Sequence, residues 1–378
     1  MHGNRRPNAI TAIQNLPAQD TCSLRYARDM VRFLTHGVQR HWRVMWRVGF
    51  STRSEWEEHS SKWRLSCFDF GSKQSFRVTT PLVVYCTGSF PKKIELPQTA
   101  SESAKNTPEL ISITTALTPI TLLNSALDPA KDIRVGVIGS SHSAVLVLMN
   151  LVRLAQSTHP KLRVIWFSRS PHFKYAEQKD GWILYDNTGL KGEAAQFAKA
   201  ELDGDNLGSS ESGKIIQRVD CSGGDEAEKE AISTWAPSCD YIVPAIGFQP
   251  VPLPKIRGAS TVVFNHETGG FEDDAGKPIL GIFGAGIAYP EKVTDPAGNT
   301  EYAVGLWKFM TFLKRVVPQW VRATHPTWNP LGLSGKRLRQ ARQEERLRQQ
   351  DEKLRQKVEK RLEQIENPHR EAKKPGAS

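Results

Sequence analysis

The sequence predicts an α/β protein built on a parallel sheet, and three observations carry that prediction. A continuous β-branched run, a glycine turn and an apolar helix follow one another in VGVIGSSHSAVLVLMNL, Val135 to Leu151. A second buried run, LRVIWF from Leu162 to Phe167, returns after the interval that a parallel crossover needs. A third, DYIVPAIG from Asp240 to Gly247, ends at a glycine as the first does. Strands without apolar/polar alternation are buried on both faces, which is the pattern of parallel sheets.

The other elements follow in chain order. Tyr26, Met30, Phe33, Leu34 and Val38 recur at helical spacing and predict an amphipathic helix over 23–42. The runs WRLSCFDF, SFRVTT and PLVVYCTG predict a β-meander, its first two strands joined at Gly71-Ser72. Residues 95–108 are rich in Pro, Ser and Lys and read as a linker, and 114–126 as a short helix stopped by Asp128-Pro129. Ile133 to Ile138 is the next strand, Gly139 to Ser141 its turn and Ser143 to Leu154 the helix that follows. Residues 180–185 read as extended, 193–202 as a helix, and 204–230 as a polar loop around one strand, 214–219. ILGIFGAGIAYP supplies another buried strand, and Val304, Leu306, Phe309, Phe312, Leu313 and Val316 form the inner stripe of a helix over 302–317. The tail GKRLRQARQEERLRQQDEKLRQKVEKRLEQIE only loosely follows a heptad and predicts a solvated single helix, with a weak coiled coil or a basic contact arm as the alternatives.

Composition excludes several classes. At 378 residues, 39% hydrophobic and 24% charged, the chain can bury a sizeable core. No run of apolar residues is long enough to span a bilayer, so no membrane association is expected. The start lacks an apolar signal segment, and Pro7 and Pro17 spoil an amphipathic targeting helix, so the expected location is cytoplasmic. The five cysteines (22, 67, 86, 221 and 239) show no C-x-x-C spacing, which argues against a zinc site or a redox dithiol. Much of the net charge of +11 sits at the chain ends. Its basic residues in the tail lack interleaved aromatics, so nucleic acid is not the expected partner.

The chemistry-bearing residues cluster around the first turn. Gly139 permits the tight bend, and backbone N–H groups at the start of the helix favour a phosphate. Ala144 is small enough for close helix-on-strand packing. Ser141 stands where dinucleotide loops carry a second glycine; a left-handed serine there would be strained by ~1–2 kcal/mol. The hydroxyls of Ser140, Ser141 and Ser143 are candidate phosphate donors, and His142 reads as a polar residue at the helix start. Arg169 follows the second strand, where an acid would select NAD and an arginine NADP. No acid follows that strand in the sequence, which predicts NADPH. Lys191 reads as a solvated lysine before a helix, and Asp295 and Glu301 as turn and cap residues.

The order of segments carries a further signal. VVYCTGSFPKKIELP precedes the turn unit, DYIVPAIGFQP closes it, and GIFGAGIAYPEKVTDPAGNTEYAVGLWKF follows. This order resembles the flavoproteins with two dinucleotide-binding domains, closest to fungal pyridine-nucleotide oxidoreductase-like proteins and flavin monooxygenases. The resemblance implies a Rossmann-like NAD(P)H domain at 131–248 inserted between two parts of an FAD domain, 1–130 and 249–325, with a charged tail at 326–378. It implies FAD and NADPH as cofactors, a small-molecule substrate, and hydride transfer from NADPH to flavin. Thr87 and Gly88, Gly247, and Gly284 and Gly286 take the family's glycine positions, while no residue is implied as a catalytic acid or base. The family's first strand and its FAD-binding G-x-G-x-x-G have no counterpart before Ser23. The expectation is a shortened chain or one without tight FAD binding. The alternative is a non-catalytic NADP(H)-binding or protein-interaction remnant that uses the charged tail.

Overall fold

The computed structural model describes residues 8–16, 23–96, 107–124, 127–170, 172–257 and 261–324. The charged tail, Cys22 and most of the 95–108 linker lie outside them. The chain divides into a unit of residues 1–316 and a second of residues 317–378, of which the described part is the end of the helix Leu306–Thr324.

The predicted parallel sheet forms. Its strands lie in the order Ile216–Asp220, Arg163–Ser168, Arg134–Ile138, Tyr241–Pro244 and Glu109–Leu110, all parallel. Side chains alternate along each strand, so successive residues enter different cores. Val135, Val137, Val164 and Trp166 pack with Ala144, Leu148 and Leu151 of the helix His142–Ser157. Ile138, Ile165 and Phe167 point the other way, into a core with Ile232, Ala236 and Ile242. Both faces are therefore covered, as the unbroken apolar runs require. Each fully buried Val, Leu or Ile stabilises the fold by about 1.5–3 kcal/mol.

A third core belongs to two further sheets. The antiparallel strands Gly49–Glu57, Lys62–Asp69 and Gln74–Thr80 form one, with Lys255–Arg257 added parallel at its edge. The strand Gly49–Glu57 escapes the sequence reading because its polar and charged residues mask the alternation. Val83–Tyr85, expected as the last strand of the meander, instead pairs parallel with Pro278–Gly284 in a separate four-stranded sheet. Tyr85 is drawn there by burial against Trp63, Ile282 and Tyr289, and by a 2.5 Å hydrogen bond between its hydroxyl and that of Ser54. An antiparallel ribbon, Ser89–Pro91 with Phe248–Pro250, carries the chain into and out of the parallel sheet.

Three further elements differ from expectation. The polar stretch 204–230 contains the start of a helix, Asp225–Trp235, whose larger apolar residues, Ile232 and Trp235, fall in its second half. Its acidic first turn complements the helix dipole, a stabilisation that apolar periodicity does not register. Residues 113–124 form two short helices, Ile113–Ala116 and Pro119–Asn124. Between Gly286 and the last helix, a hairpin of Glu291–Thr294 and Thr300–Ala303 takes the place of the expected direct passage into a helix. That helix accordingly begins at Leu306 rather than at 302.

Candidate functional site

The glycine turn is built by its neighbours. Gly139 has φ 125°, and a Cβ on it would meet the Ala245 carbonyl oxygen at 2.4 Å. Its N–H donates to the Phe167 carbonyl at 3.0 Å, and its own carbonyl accepts from Trp166 Nε1 at 2.8 Å. Only glycine meets both the dihedral and the space. Ser141 is the N-cap of the 16-residue helix, with φ −89° and ψ −179°. The left-handed strain considered for it does not arise, because this is ordinary extended backbone. Its hydroxyl makes no capping hydrogen bond. The helix start thus keeps its preference for an anionic group.

Gly139, Ser140 and Ser141 share a cavity of about 510 Å³ with Ala245, Gly247, Lys92 and Arg169. It lies at the carboxyl ends of the neighbouring 134–138 and 241–244 strands. From 134–138 the chain adds strands outward on one side, then crosses to place 241–244 on the other. Open α/β sheets bind ligands in the crevice at such a reversal. His142 and Ser143, next along the helix, are not in the cavity lining. The exposed His142 has its pKa lowered, first by partial burial and then by the charge of Lys191, which favours the neutral ring.

Arg169 is where expected but not as expected. Its guanidinium pairs with Asp225 at 3.2 Å and forms a close ion pair with Glu228, which also lines the cavity. The hydrogen bond to Glu228 leads the causes that hold the guanidinium above its ordinary pKa. The inference that no acid stands at the end of the second strand is therefore corrected. The helix Asp225–Trp235, which follows the strand Ile216–Asp220, brings two there, across nearly sixty positions of sequence.

Thr87, Gly88, Gly284 and Gly286 gather elsewhere, at the carboxyl ends of the parallel pair Val83–Tyr85 and Pro278–Gly284. Gly88 and Gly286 have φ 76° and 80° with open space where a Cβ would lie. Gly284 is small for another reason, since a Cβ there would meet the Tyr289 ring at 2.7 Å. Among the described residues, no glycine turn leading directly into a helix stands at this end of the second sheet.

Sequence reasoning missed a polar cluster beside these sites. Glu301, expected as a cap, is 9% exposed and accepts from the backbone N–H of Asn187 at 3.0 Å and of Thr188 at 3.1 Å. It also accepts from the Asn187 amide at 3.2 Å and, closely, from the Thr188 hydroxyl. Burial pushes its pKa up, but these donors, led by the Thr188 hydroxyl, outweigh burial and leave the carboxyl below its ordinary value. Lys191 is exposed and stands before the helix Gly192–Phe197, as expected; it also forms a close ion pair with Asp186, which holds Lys308 at 2.6 Å. Asp295 is a turn residue as expected, accepting from the Ala297 and Asn299 N–H groups at 3.0 and 2.8 Å.

No protein-family model matches the chain. Among solved structures, the ornithine N-hydroxylase KtzI of Kutzneria sp. 744 is 12% identical, with a TM-score of 0.39, covering 72% of this chain and 77% of its own. The cadaverine monooxygenase DfoA of Erwinia amylovora is 12% identical, with a TM-score of 0.30, covering 81% of this chain and 61% of its own. The Bacillus anthracis CoADR-RHD scores 0.37 at 13% identity, and this chain spans 43% of its length for 72% of its own. With scores below 0.5, none of these superpositions bears on the reading of this chain. A curated relative does: the monooxygenase AgnR1 of Paecilomyces divaricatus is 42% identical over 320 residues, 84% of this chain and 79% of that protein. At that identity and coverage, the chain belongs to the same oxidoreductase family as this monooxygenase.

Proposed function

We propose that the chain is an FAD- and NADPH-dependent monooxygenase acting on a small molecule. The observation that carries this reading is the uncapped helix start at the Gly139 turn, set at the sheet's point of reversal with Arg169 in the same cavity. The residues present suit a dinucleotide: N–H groups of the first helical turn and the Ser140 and Ser141 hydroxyls for the pyrophosphate, and Arg169 for a 2′-phosphate. Held on the Gly139 turn and by Arg169, NADPH would supply two electrons as a hydride to flavin; given to dioxygen with a proton from solvent, they would let one oxygen atom enter the substrate and the other leave as water. The chain's own part is to orient the nucleotide on Gly139 to Ser143 and to bring Gly247 and Lys92 over the same crevice.

The paired ribbon supports reading 131–248 as a nucleotide unit inserted between residues 1–130 and 249–325. FAD would lie at the other sheet, against Thr87 and the two glycines Gly88 and Gly286; the open left-handed backbones of these glycines admit a close approach. Without a helix N-terminus among the described residues there, that hold is weak. The same observation favours a second reading, an NADP(H)-binding remnant without flavin chemistry. Calorimetric titration tests both. NADPH should bind saturably, and Arg169→Ala should weaken it about tenfold or more while leaving NADH unchanged. FAD should bind more weakly than NADPH and be lost on gel filtration. A chain that binds NADPH but never FAD is the remnant; one that binds neither defeats both readings.

A further inference from the structure

We infer that a second cavity, apart from the nucleotide crevice, binds a neutral or cationic planar aromatic molecule bearing hydroxyl or amino donors. On the function proposed above, this molecule is the substrate to be oxygenated. The cavity measures about 350 Å³, within the range of small-molecule sites, roughly 300–1,000 Å³. It is lined by the tip of the hairpin Glu177–Lys179/Trp182–Leu184, by the 291–303 hairpin and by the start of the last helix.

Two indoles line it, and both stand uncovered: Trp182 is 54% exposed and Trp307 82%. Neither contributes to a core, so their apolar surface is free for a ligand. Flat aromatic faces favour a flat aromatic partner beyond simple area burial. The charges choose its sign. Asp186, Glu291, Asp295 and Glu301 line the cavity against one ammonium, that of Lys308. Each carboxylate is kept by its own partner: Arg315 holds Glu291 at 2.7 Å, Lys308 holds Asp186 at 2.6 Å, and Asn187 and Asn299 serve Glu301 and Asp295. With Arg315 and Lys191 counted beside Lys308, the four carboxylates keep an excess of one negative charge, which disfavours an anionic ligand.

A chain of charges runs from the cavity towards the helix that follows the Gly139 turn. Asp186 pairs at once with Lys308 in the cavity and with Lys191, whose charge lowers the pKa of His142 on the nucleotide-facing helix.

The test uses the full chain without added cofactor and 2-naphthol as the probe, followed by equilibrium dialysis. One saturable site is expected, weakened about tenfold by Trp307→Ala and by Trp182→Ala. Binding of 2-naphthoate, of similar shape but anionic, should be at least about tenfold weaker than that of 2-naphthol. Both tryptophans are exposed, so their loss leaves the cores intact, which circular dichroism checks. Unsaturable binding, indifference to both substitutions, or equal binding of 2-naphthoate would overturn the proposal. Because no nucleotide is present, such a failure leaves the NADPH titration standing. Naphthol binding without any NADPH response would keep the cavity and remove the enzyme reading.

Discussion

At Gly139 one added methyl group separates backbone geometry from ligand chemistry. Gly139→Ala must place a Cβ 2.4 Å from a backbone carbonyl at φ 125°. The expected cost is about 3 kcal/mol or more in urea unfolding, together with loss of NADPH binding. Ser141→Gly should leave stability nearly unchanged, because Ser141 has ordinary dihedrals and no capping bond. Arg169 is subtler. In the structure, Glu228 and Asp225 already hold the guanidinium that a 2′-phosphate would need. Glu228→Gln removes the nearer competitor and should tighten NADPH several-fold while weakening NADH, if Glu228 serves a ribose hydroxyl. Unchanged binding of both nucleotides would show that the pair is not part of the specificity. Gly139 and Arg169 were legible in the sequence because strand, turn and strand end are local. Glu228 was not, because only the fold returns its helix to that strand end.

Elements were legible where burial is symmetrical and obscured where it is not. The strands 134–138, 163–168 and 241–244 are buried on both faces, and the sequence shows this as unbroken apolar runs. The helix 225–235 buries Ile232 but opens with charged residues, so its polar half reads as a loop. The hairpin 291–303 is hidden for a related reason. What secures it is a carboxylate, Glu301, that binds residues 187 and 188 more than a hundred positions earlier. Glu301→Ala strips the Asn187 and Thr188 N–H groups of their acceptor at a nearly buried site. It should cost about 3 kcal/mol in chemical unfolding, with the 187–188 amides losing exchange protection first. A loss under about 0.5 kcal/mol, the scale of an ordinary surface change, would show that the hairpin is held by other contacts.

For the unit of residues 1–316, the paired ribbon and the Glu301–Asp186 cluster join the parallel sheet to the rest, and the second join depends on charge. In both carboxyls burial acts to raise the pKa, and the donors around them more than offset it. Both therefore lie below the ordinary values of 3.8 for Asp186 and 4.5 for Glu301. A carboxyl whose folded pKa is depressed contributes stability that is fully present above its unfolded pKa. That stability is lost as pH falls through the lower folded value. The urea midpoint should thus hold steady from neutrality to about pH 5 and decline as the two groups take up protons below about pH 4. Glu301→Ala lacks one of these carboxylates, so its midpoint should start lower and fall less steeply over the same interval. Two curves offset by a constant amount across that range would mean that Glu301 titrates alike in folded and unfolded chains, and the charge-dependent join would have to be abandoned.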